Sequence, residues 1–214
     1  MSDAPSVLVG CEVSGEVRDA FAARGWNAWS CDLLPSETIG NHIRGDVFDA
    51  LRSRRWNLAI LHPPCTFLTV SGNRWFRDDA RAAPGILTGA DRREARERAL
   101  AFVAGLWTLC DELDIPRAVE NPIGVLSSRW MRPTQTIQPW RFGERERKAT
   151  CLWLSGLPPL QATAIVPEHL RRQSVWRMPP GKHRQRERSR TFHGIALAMA
   201  DQWGRVCGAG SEAA

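Results

Sequence analysis

Three short apolar runs, each closed by a residue able to do chemistry, constrain this 214-residue chain more than any other feature. Ser6-Val7-Leu8-Val9 ends in Gly10, Trp26 to Cys31 closes on Asp32, and Asn57-Leu58-Ala59-Ile60-Leu61 runs into His62-Pro63-Pro64-Cys65. Runs of this length, bounded by turn residues, read as buried strands. Helical patterns separate them. Over Glu16 to Arg24, Val17, Ala20, Phe21 and Arg24 share one face, and Gly25 is placed to stop the helix. Val47 to Arg54 is a shorter helix that follows a polar stretch from Pro35 to Arg44. Arg92 to Leu113 is the longest, with Leu100, Val103, Ala104 and Trp107 along one side. Arg117-Ala118-Val119-Glu120 is a further strand ending in Asn121-Pro122. This alternation predicts an α/β domain: a mostly parallel central sheet, flanking helices, and ligands at the carboxyl ends of the strands.

The last third changes character. Thr134 to Ile137 and Thr150 to Leu154 pattern as two strands joined by a charged turn, Gly143 to Lys148, and Thr191 to Trp203 patterns as an amphipathic helix. Between them, Arg171 to Arg190 sets Arg171, Arg172, Arg177, Lys182, Arg184, Arg186, Arg188 and Arg190 against the single acid Glu187. Residues 72–90, rich in Arg, Asp, Gly and Pro, read as an irregular loop with a mobile part. No repeat or linker divides the chain, so residues 1–214 read as one domain. At 43% hydrophobic and 24% charged, the composition excludes a disordered or fibrous chain. No apolar run approaches the ~18 residues of a membrane-spanning helix. The first residues lack the basic and apolar regions of a secretory signal, so the expected location is the cytoplasm. Six cysteines without a Cys-x-x-Cys pair predict reduced thiols and no structural zinc. A net charge of +6 and a pI near 9.5 point to a polyanionic partner. The oligomeric state is not fixed by the sequence.

Three clusters carry chemistry. In Gly10-Cys11-Glu12-Val13-Ser14-Gly15, a glycine-bearing turn lets a ligand approach the backbone, and the helix that follows offers free N–H groups. Asp32, closing the second strand, is placed to accept hydrogen bonds from a ribose diol, and Asp46 to lie near an adenine edge. In His62-Pro63-Pro64-Cys65-Thr66, two prolines stiffen a loop at the mouth of the sheet. A cysteine held there can act as a nucleophile if helix N-termini or cations lower its pKa. In Val119-Glu120-Asn121-Pro122, a carboxyl group at the end of a buried strand faces the same crevice, where partial desolvation lets it hold and donate a proton near neutral pH.

Together these motifs resemble the DNA cytosine-5 methyltransferases: Pro64-Cys65 after one strand, Glu120-Asn121-Pro122 after the next, and a glycine-bearing first turn. The chain is more narrowly similar to the small, phage-type members. Gln138-Pro139-Trp140-Arg141-Phe142-Gly143, Lys148-Ala149-Thr150-Cys151-Leu152-Trp153-Leu154 and Arg190-Thr191-Phe192-His193-Gly194-Ile195-Ala196 carry that closer match. The resemblance spans residues 7–204 and implies a Rossmann-like class I methyltransferase fold. It implies a Cys65 nucleophile that adds at cytosine C6, and a Glu120 that hydrogen-bonds N3 and the exocyclic amine. It also implies S-adenosylmethionine or a close analogue as donor, and a target base flipped out of DNA. The cofactor would lie against Gly10, Glu12, Ser14, Gly15, Asp32, Asp46 and Pro64.

The chain departs from the family in four places, one of them the usual Gly-Asn pair near the C-terminus, which is Gly194-Ile195 here. Its first turn lacks the usual Phe and extra glycines. The nearest equivalents of the base-contacting arginine are Arg145, Arg147 and Lys148, of which Lys148 is favoured. The large target-recognition domain is missing, since about 35 residues separate Leu154 from Arg190. DNA contact then falls to short loops, through Arg74 in residues 72–90 and through Arg184, Arg186 and Arg188 in a basic segment around 168–190. Trp75 and Trp130 are candidates to stack on a base. Two other functions stay open: an exocyclic-amine DNA methyltransferase, and a DNA-binding protein that kept the fold without the chemistry.

Overall fold

A computed structural model describes residues 4–179, 181 and 184–208. The first strands and helices fall where the apolar runs place them: β1 Ser6–Gly10, α1 Glu16–Ala22, β2 Asn27–Asp32, β3 His42–Arg44, α2 Val47–Arg52 and β4 Leu58–Leu61. A 3-10 turn at Val70–Phe76 leads into α3 Gly89–Glu112, then β5 Arg117–Pro122 and the short α4 Leu126–Arg129. β6 Gln135–Ile137 and β7 Thr150–Ser155 follow, then α5 Ser174–Arg177, α6 Arg184–Ser189 and α7 His193–Gly208. The seven strands form one sheet in the order β3-β2-β1-β4-β5-β7-β6, with β7 antiparallel to both of its neighbours and the other neighbouring pairs parallel. This is the mostly parallel, Rossmann-like α/β sheet expected from the sequence.

The central strands are apolar without a break because both faces of the sheet are covered. Alternation along each strand divides the side chains. Val7, Val9, Leu58 and Ile60 pack under α1 and α7 with Val17, Phe21, Met199 and Trp203. Leu8, Ala59, Leu61 and Val119 pack under α2 and α3 with Leu51, Val103, Leu106 and Cys110. Trp203 is fully buried and donates its indole N–H to the Pro158 carbonyl at 2.9 Å. Truncating it to Ala would cost about 3–5 kcal/mol.

Several elements differ from the sequence reading. The polar stretch before α2 hides β3, an edge strand of three partly exposed or exposed residues that no apolar period marks. The buried stripe of α3 runs through Ala95, Val103, Leu106 and Cys110, while Leu100 and Trp107 flank it half-buried. Arg92, near the start of that helix, is itself buried and stacks on Phe67 and Phe76. The loop over residues 72–90 is partly ordered by the 3-10 turn, which Arg93 and Arg96 tie to α3 through the Phe76 carbonyl and Asn73. The last helix starts two residues later and ends five residues later than its pattern.

Candidate active site

β1, β4 and β5 are neighbours, so their carboxyl ends lie side by side where the strand order changes direction. Gly10 is level with Leu61, and Leu61 with Val119. One residue further on, His62 and Glu120 meet. The Cys65 loop grows from this edge and is held from several sides. Asn121, fully buried, donates its amide to the Pro63 carbonyl at 2.8 Å. The Cys65 carbonyl accepts from the amides of Leu68 and Thr69, both at 3.0 Å. Val125 donates to the Leu68 carbonyl, and Gly124 lies so close that an added Cβ would collide with that oxygen. From α3, Arg92 reaches the Thr66 carbonyl at 3.1 Å and Arg96 the Phe67 carbonyl at 2.9 Å. The stiffness expected from two prolines is therefore reinforced by the Glu-Asn-Pro strand and by α3.

The charges inside this edge differ from the sequence expectation in two respects. Glu120 does not hold a proton. Burial pushes its carboxyl up, but the hydrogen bond and charge of His62, the charge of Lys148 and a Thr150 hydrogen bond outweigh it and hold the group below its ordinary value. His62 Nδ1 lies 3.0 Å from Glu120 Oε2, with only 9% and 14% of the two side chains exposed. Burial alone would push the imidazole down, yet Glu120 and Glu12 raise it above its ordinary value, which favours the imidazolium beside the carboxylate. Cys65 is the second correction. Its thiol is raised, by desolvation first and by the Glu120 charge second, and Lys148 and Arg188 only partly offset this. Cys65, Glu120 and Lys148 are thus brought together, along with His62 and Arg188, which the sequence reading did not single out for this cluster. Lys148 is anchored by donating to the Arg188 carbonyl at 2.7 Å. His62 was legible: it directly follows β4, as Glu120 directly follows the last residue of β5 paired with β4. Its Nε2 is buried with no partner among the described residues.

The turn after β1 also differs. The expected free N–H groups at the start of α1 are already occupied. Buried Glu12 accepts from the amides of Val17 at 2.9 Å and Arg18 at 3.4 Å, and from the Ser14 hydroxyl. Ser14 in turn accepts from the Glu16 amide. Gly15 has φ +75°, and a side chain there would run into Thr38 and Arg18. At Gly10 a Cβ would meet Leu61 and Val47 at 2.7 Å, so this glycine is required by packing of the sheet edge. Cys11 sits between the strand ends at φ +59°, and its thiol is raised by burial and then by the charges of Asp32, Cys31 and Asp46. Asp32 and Asp46 therefore converge on this turn. Asp32 accepts from the Leu34 amide at 2.9 Å, and Asp46 caps α2 by accepting from Phe48 at 2.7 Å. Pro64 is exposed at the rim of the site.

The basic segment is largely tied down. Arg186 and Arg190 both pair with Glu37, which is only 11% exposed, and Arg190 also reaches Glu16 at 3.5 Å. Arg184 donates to the Met178 carbonyl at 2.8 Å, and Arg188 faces Cys65. Lys182 lies outside the described residues. Arg74 is exposed and stacks on Trp75 at 4.3 Å. Trp130 packs edge-on to Trp107 at 5.5 Å and against buried Trp153 at 5.8 Å, which makes it part of the core and not a free stacking platform.

No family model matches the chain, and no curated protein matches it. Among solved structures it is similar to a protein encoded within an Escherichia coli prophage and named as a candidate DNA modification methyltransferase. The two are 11% identical, the match covers 77% of this chain and 52% of that one, and the TM-score is 0.46. The chain thus spans about half the length of that structure. Among the described residues, no helix is long and apolar enough to cross a membrane.

Proposed function

We propose that the chain is a one-domain DNA methyltransferase that modifies C5 of cytosine through a covalent adduct with Cys65. The observation that carries this reading is the convergence of Cys65, Glu120, His62 and Lys148 on one strand-end crevice. Cytosine C5 is a poor nucleophile until a thiolate adds at C6 and pushes the ring electrons towards C5. Sγ of Cys65 supplies that thiolate, and the cations Lys148 and Arg188 favour loss of its proton. Glu120, as a carboxylate, accepts from the exocyclic amine, while the His62 imidazolium holds its other oxygen in place. A base seated between Glu120 and Cys65 would draw on the Glu120 charge that now raises the thiol. Once C5 carries the methyl group, a water takes the C5 proton, the C5–H electron pair re-forms the C5–C6 double bond, and Sγ leaves C6 as a thiolate.

The donor set fits S-adenosylmethionine or a close analogue, which carries its methyl group on a sulfonium. A dinucleotide needs open amides at the start of α1 for its phosphates. Here the buried Glu12 carboxyl already occupies the amides of Val17 and Arg18, which leaves them closed to a phosphate and tolerates an unphosphorylated nucleoside. Asp32, at the end of β2, would take the ribose hydroxyls, and Asp46 would approach the adenine.

The test is mass analysis of nucleosides from DNA of cells that express the chain. A methyl-sized or related one-carbon addition to deoxycytidine, co-migrating with a C5 standard, is the expected result. Addition at the exocyclic amine would replace this reading with the amine-methyltransferase one. Unmodified DNA together with retained DNA binding would leave the non-catalytic reading.

A further inference from the structure

Four guanidinium groups, from Arg147, Arg171, Arg172 and Arg177, line an open cleft of about 510 Å³ together with Gln173 and Ser174. Its walls are tied together by the backbone. The Arg147 amide donates to the Arg172 carbonyl at 2.8 Å, the Arg172 amide donates to the Arg145 carbonyl at 2.5 Å, and Glu146 bridges Arg172 in parallel. Beneath them, buried Glu146 accepts from the amides of Ser174 and Val175, each at 3.1 Å, and from the Ser174 hydroxyl. Neutral donors therefore occupy the carboxylate under the cleft. Arg171 lies over the Trp140 ring at 3.6 Å, with its Nε on the Val166 carbonyl. On the rim, exposed Glu168 pairs with Arg147 at 3.1 Å. Four cations thus share one lining, with the exposed carboxylate of Glu168 at its edge. Such a cluster repels itself until an anion enters, and planar guanidinium groups bind phosphate oxygens two at a time.

The same chain segment leads into the candidate active site. Arg147 lines the cleft, and the next residue, Lys148, faces Cys65 and Glu120. The sequence reading assigned DNA contact to Arg74 and to Arg184, Arg186 and Arg188 of a basic segment around 168–190, which also holds Arg171, Arg172 and Arg177; Arg186 is paired internally and Arg188 faces the thiol. We propose that this cleft binds the phosphodiester backbone of the DNA beside the target base, with Arg147, Arg172 and Arg177 as its phosphate contacts. The proposal rests on the functional reading above only in naming DNA as the polyanion.

Binding of a short mixed-sequence DNA duplex, measured by fluorescence anisotropy over a series of sodium chloride concentrations, tests it. Arg172 and Arg177 are exposed, and the double variant Arg172→Gln/Arg177→Gln should bind about tenfold more weakly at moderate salt. Its slope of log K against log salt should fall by roughly 2, one contact per residue. The matching Lys variants should keep the slope. If the Gln double variant fails to fold, Arg147→Gln alone should lower the slope by roughly 1. A slope equal to that of the unaltered chain in the Gln variants overturns the proposal, as does tighter binding to RNA of the same sequence. Because the readout is binding, a chain that never modifies cytosine still tests the cleft. Modification of cytosine with an unchanged slope removes the cleft and leaves the active site standing.

Discussion

Two charged regions of this molecule, the strand-end crevice and the arginine-rich segment before α7, are handled in opposite ways. In the crevice a few ionisable groups are held by parallel strands whose register fixes them: Leu61 beside Val119 puts His62 beside Glu120. In the basic segment the cations are many, and their partners are remote in sequence. Glu37 meets Arg186 and Arg190 across 149 and 153 residues, and Lys148 meets the Arg188 carbonyl across 40. Order along the chain is thus enough to place a strand-end group, whereas charge composition does not say which arginines remain open to a ligand.

The largest effect should come from the crevice. Cys65→Ala should abolish base modification, beyond ~100-fold, with the melting temperature little changed. Comparable turnover from this variant would move the nucleophile elsewhere and end the contrast between the two regions.

Next in size is the buried pair. Replacing His62 by Asn leaves Glu120 as a buried charge without its cation, which should cost about 3 kcal/mol of stability. The cost should depend on pH. The folded value of His62 is raised, so its share is fully present below its ordinary 6.5 and is lost as pH rises through the raised value. Glu120 is lowered, so its share is present above its ordinary 4.5 and is lost as pH falls through the lowered value. Chemical denaturation should therefore show the gap between the unaltered chain and His62→Asn narrowing as pH rises from the ordinary imidazole value of 6.5 through the raised value of the folded chain. A gap that stays constant or widens would mean His62 is neutral in the folded chain.

A smaller effect belongs to the cofactor turn. Asp32→Ala should weaken S-adenosylmethionine by ~1–3 kcal/mol in calorimetry, the scale of a charge-assisted hydrogen bond, and leave DNA affinity alone. Unchanged cofactor affinity would take the ribose away from the end of β2. The smallest effect sharpens the comparison from the other side. Glu37→Gln frees Arg186 and Arg190 from their shared partner. A slight fall in melting temperature and a modest gain in non-specific DNA affinity are expected. A loss of DNA affinity would show that the tied geometry itself binds DNA.

The parts of the fold legible in the sequence are those with strong local periods. β1, β4, β5 and α1 lie within a residue or two of their apolar patterns, because burial on both sides of a sheet leaves a continuous run. β3 was hidden because an edge strand of three residues needs no apolar period. At the site, residue types and their order along the chain were legible, but protonation was not. Desolvation alone argued for a protonated Glu120; the His62 contact, made across two strands, with Lys148 and Thr150 reverses that sign. The same holds for Glu12, which reads as a ligand-facing acid in the turn and instead caps α1 from within.

The central claim, that Cys65 is a nucleophile aimed at cytosine C6, is tested most directly by trapping. DNA carrying 5-fluorocytosine blocks the final loss from C5, so incubation with the chain and S-adenosylmethionine should yield a covalent protein–DNA species whose cross-linked peptide contains Cys65. The Cys65→Ala variant should yield none. Methylation of cytosine without any covalent species, or a cross-link mapped to another residue, would contradict the account.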